Sequence, residues 1–171
     1  MIGPKNERMK KTNAARILDR ANIEYAIIDY DTDPIEVGTE RVSENTNLHI
    51  LYISNTLVLS ENKTGVVVDC ISGSSELKPN SIVQISENQK STLAALKNIQ
   101  ELTGYICGGC SFLDMKKDYL VFLKPFAFQL EHFSMNAGLR DKQIKIDSIG
   151  LHSITKSTLC RTSNPKQKLA C

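Results

Sequence analysis

Apolar residues recur at helical spacing at Ala14, Ile17, Leu18 and Ala21, behind Thr12, a residue suited to a helix N-cap. The spacing predicts a first amphipathic helix over residues 12–21. Tyr25 to Tyr30 reads as a strand. The polar stretch 31–47, interrupted by Pro34 and Gly38, reads as a long loop with a short helix around 39–45. Ile50 to Leu59 and Gly65 to Ile71 are β-branched runs separated by Ser60 to Thr64. That pattern predicts a hairpin, placed at the centre of a sheet.

Further along, Ser72-Gly73-Ser74-Ser75 turns the chain. A helical turn over 76–80 is expected to be cut short by Pro79, with a brief strand at 82–85. Leu93, Leu96, Ile99 and Leu102, with Ala94 and Ala95, form the stripe of a second helix, capped by Ser91 and ended at Gly104. Tyr119–Leu123 and Glu131–Met135 read as strands joined through residues 125–128. The alternation over 143–146 adds a half-buried strand, followed by a weak helix over 147–154. Beyond Thr155 there is no periodicity. Strands paired mostly through short hairpins, with helices before and between them, predict an α+β fold whose sheet is mixed and largely antiparallel.

Composition narrows the class. A chain of 171 residues fits one domain with a real core, and 41% apolar with 23% charged residues is ordinary for a water-exposed globule. The apolar runs, of which 65–68 is one and 119–123 the longest, are far too short to cross a bilayer. The polar start of the chain lacks an apolar signal core, and an odd number of cysteines, five, suits free thiols better than a disulfide framework. Cytoplasmic residence is therefore expected. Charge is uneven: residues 1–20 carry +4, residues 156–171 carry +4 and the middle carries −6, within a net +2. Basic ends can grip nucleic-acid phosphates, although solvated tails of this kind are common.

Candidate chemistry concentrates at Thr103 to Lys117, where Gly108-Gly109 interrupts the chain and Lys116-Lys117 follow. A glycine pair lets backbone amides approach a ligand closely, and adjacent positive charge suits a phosphate-bearing one. Cys107 and Cys110 form a Cys-x-x-Cys. A redox thiol needs a helix N-terminus to lower its pKa, and a zinc site needs a second ligand pair; neither accompanies this motif. His49, His132 and His152 are isolated, and no nucleophile elbow or phosphate-binding loop is present, so histidine-based nucleophilic catalysis has no support. No metal or cofactor is called for.

Five pieces in order say more. Lys11-Thr12-Asn13-Ala14-Ala15-Arg16-Ile17-Leu18, then Asn55-Thr56-Leu57-Val58, then Ile71-Ser72-Gly73 with Leu77-Lys78, then Thr103-Gly104-Tyr105 with Gly108-Gly109-Cys110-Ser111 and Lys116-Lys117, and finally Asn136-Ala137-Gly138-Leu139-Arg140 resemble the YbaK/prolyl-tRNA synthetase editing-domain family. The resemblance covers roughly residues 11–155, leaving a basic N-terminal extension at 1–10 and a basic tail at 156–171.

What the resemblance implies is an α+β domain with a mixed, barrel-like sheet and flanking helices. The implied activity is a trans-editing deacylase that hydrolyses the ester of a mischarged tRNA of the Cys-tRNA(Pro) or Ala-tRNA(Pro) type. Such a second sieve corrects what binding alone cannot, because one methylene or hydroxyl contributes only ~1–3 kcal/mol. The implied partners are the 3′ acceptor end of tRNA and prolyl-tRNA synthetase. The resemblance makes Gly108, Gly109 and Asn55 the catalytic positions, with the amides of Gly108 to Phe112 holding the ester carbonyl as in an oxyanion hole. Ser72 and Gly73 would form a facing wall; Cys110, Ser111 and Phe112 the pocket lining; Asn136 and Gly138 the third side; Lys116 and Lys117 the phosphate contacts. The sequence departs from the family at Asn55, where the family has lysine, at Phe112, where it has proline, and at Asp141, often glycine. A catalytically degenerate tRNA- or synthetase-binding homologue is the alternative that these departures imply.

Overall fold

The computed structural model describes residues 11–32, 38–123, 125–155, 158–159 and 163–165. Helix α1 (Asn13–Arg20) starts at Thr12, whose hydroxyl accepts from the Ala15 amide at 3.2 Å and so satisfies a free N–H of the first turn. Ala14, Ala15 and Leu18 are fully buried, so the apolar stripe is the packing face. The chain passes through β1 (Tyr25–Asp29) to α2 (Thr39–Thr46). After a single 3-10 turn at Ile50–Tyr52 it enters β2 (Ser54–Glu61).

Strands β2 and β3 (Gly65–Ser72) form the expected hairpin, in register from Ser54 opposite Ser72 to Glu61 opposite Gly65. They occupy the middle of a five-stranded sheet ordered β5-β2-β3-β6-β9, with β5 at Ser91–Leu93, β6 at Leu120–Leu123 and β9 at Thr158–Leu159. β6 runs parallel to β3 and β9 parallel to β6; the other pairs are antiparallel. A second, antiparallel sheet has the order β1-β8-β7, with β7 at Phe133–Asn136 and β8 at Lys142–Ile146. A parallel bridge between Ile53 and Ser134 joins the two sheets. The mixed α+β architecture is as expected, but among the described residues the sheets stay open and close no barrel.

The hairpin packs on both faces. Val68 and Cys70 face Leu18, Phe133, Met135 and Ile144, while Leu59 and Val67 face Ile82 and Phe122. Each such side chain withdrawn from water contributes about 1.5–3 kcal/mol before the entropy of ordering is counted. The hairpin tip is held by a buried carboxylate. Glu61 accepts from Ser86 Oγ at 2.8 Å, from Thr64 Oγ1 at 2.7 Å and from the Asn88 amide, and Asn88 Oδ1 accepts from the Lys63 N–H at 2.8 Å. A buried charge met by this many donors does not stay uncompensated.

Three expectations fail. The helical turn over 76–80 is absent, since Glu76 and Leu77 lie in strand β4 (Ser75–Leu77). Residues 82–85 are not a strand: they end helix α3 (Pro79–Ile85), and Pro79 opens that helix instead of breaking it, because its missing N–H falls in the first turn. The stripe from Leu93 to Leu102 is not one helix either. β5 pairs with the edge of β2, a 3-10 turn follows at Leu96–Asn98, and only Ile99–Thr103 is α-helical (α4). Leu93 and Leu96 are 57% and 73% exposed, so the stripe is not a packing face. Helix α5 (Ser148–Thr155) matches its expected span. Past it, where the sequence has no periodicity, β9 joins β6 and β10 (Ser163–Pro165) pairs with β4 (Ser75–Leu77).

Candidate functional site

A cleft open to solvent lies where the two sheets meet. Ile53, Ser54 and Asn55 form its floor at the start of β2. Gly38, Thr39, Arg41 and Val42 supply the α2 wall, and Tyr30, Asp31 and Thr32 continue from β1. Gly108, Asn136, Arg140 and Gln143 close the remaining side. The α2 wall is tied to β1, since Asn45 Nδ2 donates to the Asp31 carbonyl at 2.7 Å.

The glycine loop is built for close approach. The Gly109 amide donates to the Ile106 carbonyl at 3.1 Å, closing a tight turn in which Gly108 has a φ of +86°, a region where a side chain is strained. Gly109 itself lies against the backbone of residues 139–140: a Cβ there would come within 3.0 Å of the Leu139 carbonyl carbon and 3.1 Å of the Arg140 nitrogen. The approach lets Arg140 reach back, and its Nε donates to the Cys107 carbonyl at 2.7 Å. One guanidinium nitrogen is thereby spent on the loop, while the group's remaining N–H donors stay with a residue that lines the cleft. On the far side of the turn, Tyr105 Oη donates to the Leu113 carbonyl at 2.6 Å.

Three sequence-derived positions from distant segments, Asn55, Gly108 and Asn136, line this one cleft. The others fall elsewhere. Gly109 uses its N–H inside the turn, and Cys110, Ser111 and Phe112 are buried, with Cys110 and Phe112 packed into two core clusters. Of the expected amide wall, only Gly108 reaches the cleft. Ser72 donates to the Leu51 carbonyl at 3.1 Å and backs the floor. Gly73 backs the α2 wall, where a Cβ would meet that of Thr39 at 2.6 Å. Gly138 sits beneath the Tyr105 ring. Lys116 donates to the Glu101 carbonyl at 3.3 Å, and Lys117 lines a separate hollow with Phe112 and Tyr119. The cations lining the cleft are Arg41 and Arg140.

Burial raises the Tyr30 phenol above its ordinary pKa, a shift that a hydrogen bond from Gln143 partly offsets, so Tyr30 is neutral at physiological pH. Burial likewise pushes the Cys110 thiol up to about 11, the reverse of what a redox nucleophile requires. His49 Nδ1 accepts from the Leu51 amide at 3.3 Å and caps a turn. Among the described residues no cluster of three or more His, Cys, Asp or Glu side chains is placed to hold a metal, and no helix is long and apolar enough to cross a membrane. Sequence reasoning missed Tyr30, Arg41 and Gln143. Arg140 was within reach of it, because it ends the Asn-Ala-Gly-Leu-Arg piece.

Comparison with known proteins gives this geometry a context. The sequence pattern of the aminoacyl-tRNA editing domain matches residues 37–164. EbsC of Enterococcus faecalis (strain ATCC 700802 / V583), whose provisional name is Cys-tRNA(Pro)/Cys-tRNA(Cys) deacylase, is 33% identical over 151 residues, covering 88% of this chain and 92% of that protein. Two crystal structures share the fold. One is a hypothetical protein, with TM-score 0.79, 16% identity, 87% of this chain and 97% of the other. The second is a protein proposed as a trans-editing enzyme for prolyl-tRNA synthetase, with TM-score 0.75, 13% identity, 96% of this chain and 99% of the other. With the family pattern spanning the cleft from Gly38 to Gln143, the chain belongs to the aminoacyl-tRNA editing domain family.

Proposed function

We propose that the protein is a trans-editing aminoacyl-tRNA deacylase: it hydrolyses the ester between a wrongly attached amino acid and the terminal ribose of a tRNA. Water adds to the ester carbonyl carbon, charge collects on the carbonyl oxygen, and the ribose oxygen leaves with a proton, releasing free amino acid and free tRNA. Chemistry of this kind is accelerated by fixed hydrogen-bond donors aimed at the oxygen that becomes charged. The observation that carries the reading is the convergence of Asn55, Gly108 and Asn136 on one cleft that also holds two guanidinium groups.

The arginines suit the phosphates that precede the acceptor ribose, and they replace Lys116 and Lys117 in that role. Arg140 is the stronger of the two assignments, since its bond to the Cys107 carbonyl fixes the plane of its fork. The name of EbsC suggests cysteinyl-tRNA(Pro) as the first substrate to try, and that of the trans-editing neighbour suggests prolyl-tRNA synthetase as the enzyme whose errors are cleared. Alanyl-tRNA(Pro) and the cytosol follow from the sequence reading alone.

A panel of cysteinyl-, alanyl- and seryl-tRNAs tests this reading. Release of free amino acid above the uncatalysed rate is expected for at least one. Because Asn55 lines the cleft without a charge, a binder that does not hydrolyse is the competing outcome, recognised by salt-sensitive tRNA binding with no release.

A further inference from the structure

Asn136 enters the cleft with one edge of its amide already engaged. Its Oδ1 accepts from Gln143 Nε2 at 2.6 Å, and Gln143 Oε1 accepts in turn from the Ser134 hydroxyl at 3.1 Å. Ser134 and Gln143 are each 1% exposed, and the β7–β8 register sets Asn136 directly opposite Gln143. A primary amide accepts on one edge and donates on the other. With Oδ1 turned toward Gln143, the N–H edge is the one Asn136 has left for the cleft.

We propose that Gln143 is a positioning residue: held by Ser134, it fixes the Asn136 amide with its N–H edge toward the cleft, so that this wall gives a hydrogen-bond donor to the oxygen that becomes charged. The proposal rests on the deacylase reading above and adds the residue that sets the polarity of one wall. The chain of three side chains has a direction. Gln143 must donate to Asn136 and accept from Ser134, which hydrocarbon cannot do and a carboxylate can do only by half. A carboxylate at 143 draws the Asn136 N–H edge inward and leaves Oδ1, an acceptor, facing the substrate oxygen. A protonated carboxyl restores the native sense, because its O–H donates to Oδ1 and its carbonyl accepts from Ser134.

Gln143→Glu is therefore a test with its own pH signature. Among the described residues, the titratable and charged groups around the cleft are Tyr30, Asp31, Arg41 and Arg140, with Asp141 acting on Tyr30, and they are common to variant and unsubstituted protein. Measured at each pH relative to the unsubstituted protein, Gln143→Glu is expected to keep kcat at the acid end and to lose about 100-fold once its carboxyl ionises, with KM little changed. Asn136→Asp keeps Oδ1 for Gln143 and has no donor once its carboxyl is ionised, so it should lose about as much at neutral pH, and it covers the case in which the glutamate variant does not fold. A Gln143→Glu ratio that is flat with pH, or full activity in Asn136→Asp at neutral pH, overturns the proposal. If the unsubstituted protein deacylates nothing in the panel, the deacylase reading falls. The polarity claim is then read from the ¹⁵N signals of the Asn136 side-chain amide: they should move with the titration of Glu at 143, and unmoved signals overturn it.

Discussion

Asn55 stands on the cleft floor with an amide where an ammonium group has both the reach and the charge to meet a phosphate. A hydrogen bond to a charged group contributes about 1.5–3 kcal/mol, or roughly 10- to 100-fold in binding. Asn55→Lys is accordingly expected to lower KM for an aminoacyl-tRNA substrate by about 10-fold or more and to steepen the salt dependence by about one phosphate contact, read from KM across a salt series. Gly109→Ala probes the opposite wall. Its added Cβ meets backbone, not a flexible side chain, so the turn must move away from residues 139–140. A loss of ~1–3 kcal/mol is expected from chemical denaturation, with a fall in turnover as Arg140 loses its seat. Of the residues that sequence reasoning located, Gly108 stands out by its glycine pair, while Asn55 and Asn136 were found because their short runs resemble those of the editing-domain family. Tyr30, Arg41 and Gln143 have no such neighbourhood. They reach the cleft through strand pairing and helix docking across more than a hundred residues, and nothing local marks them.

Elements tell a similar story. Helix α1 and the β2–β3 hairpin were legible because each carries its whole signal within itself: a capping threonine with a 3.6-residue stripe, and two β-branched runs around a polar tip. Thr12→Ala removes the cap hydrogen bond to Ala15 and should cost about 1 kcal/mol, seen as a fall of roughly 2–4 °C in Tm for a chain of this size. Where reading failed, tertiary pairing overrode local preference. The edge of β2 needs a partner for its free backbone groups, and it takes residues 91–93, with the Ala94 N–H donating to the Val58 carbonyl at 2.9 Å. A leucine stripe that would suit a helix is split by that demand. β9 and β10 were invisible for the same reason: two- and three-residue strands are defined by the neighbours they extend and carry no period of their own.

Across the whole molecule, the buried Cys110 ties stability to pH. Burial holds its thiol at about 11 against an ordinary 9.0. Below pH 9 the thiol is protonated in folded and unfolded chains alike and contributes nothing to the pH dependence. Between 9 and 11 the unfolded chain releases a proton that the folded chain keeps, so stability falls as pH rises, by ~1.4 kcal/mol per pH unit at most. Denaturant titrations at pH 8.5 and 11 should show that drop. It should be about 2–3 kcal/mol smaller in Cys110→Ala, which has no thiol at this position to ionise in either state.

The bridge between Ile53 and Ser134 puts the cleft on the stitch that joins the two sheets. Occupancy and cohesion are then the same event. A stable ester mimic lodged there clasps both halves, and at a hundredfold excess over its Kd it should raise unfolding free energy by about 2.7 kcal/mol. Amide exchange should slow on the lips of both sheets together, at Ile53 and Asn55 on one and at Asn136 and Gln143 on the other.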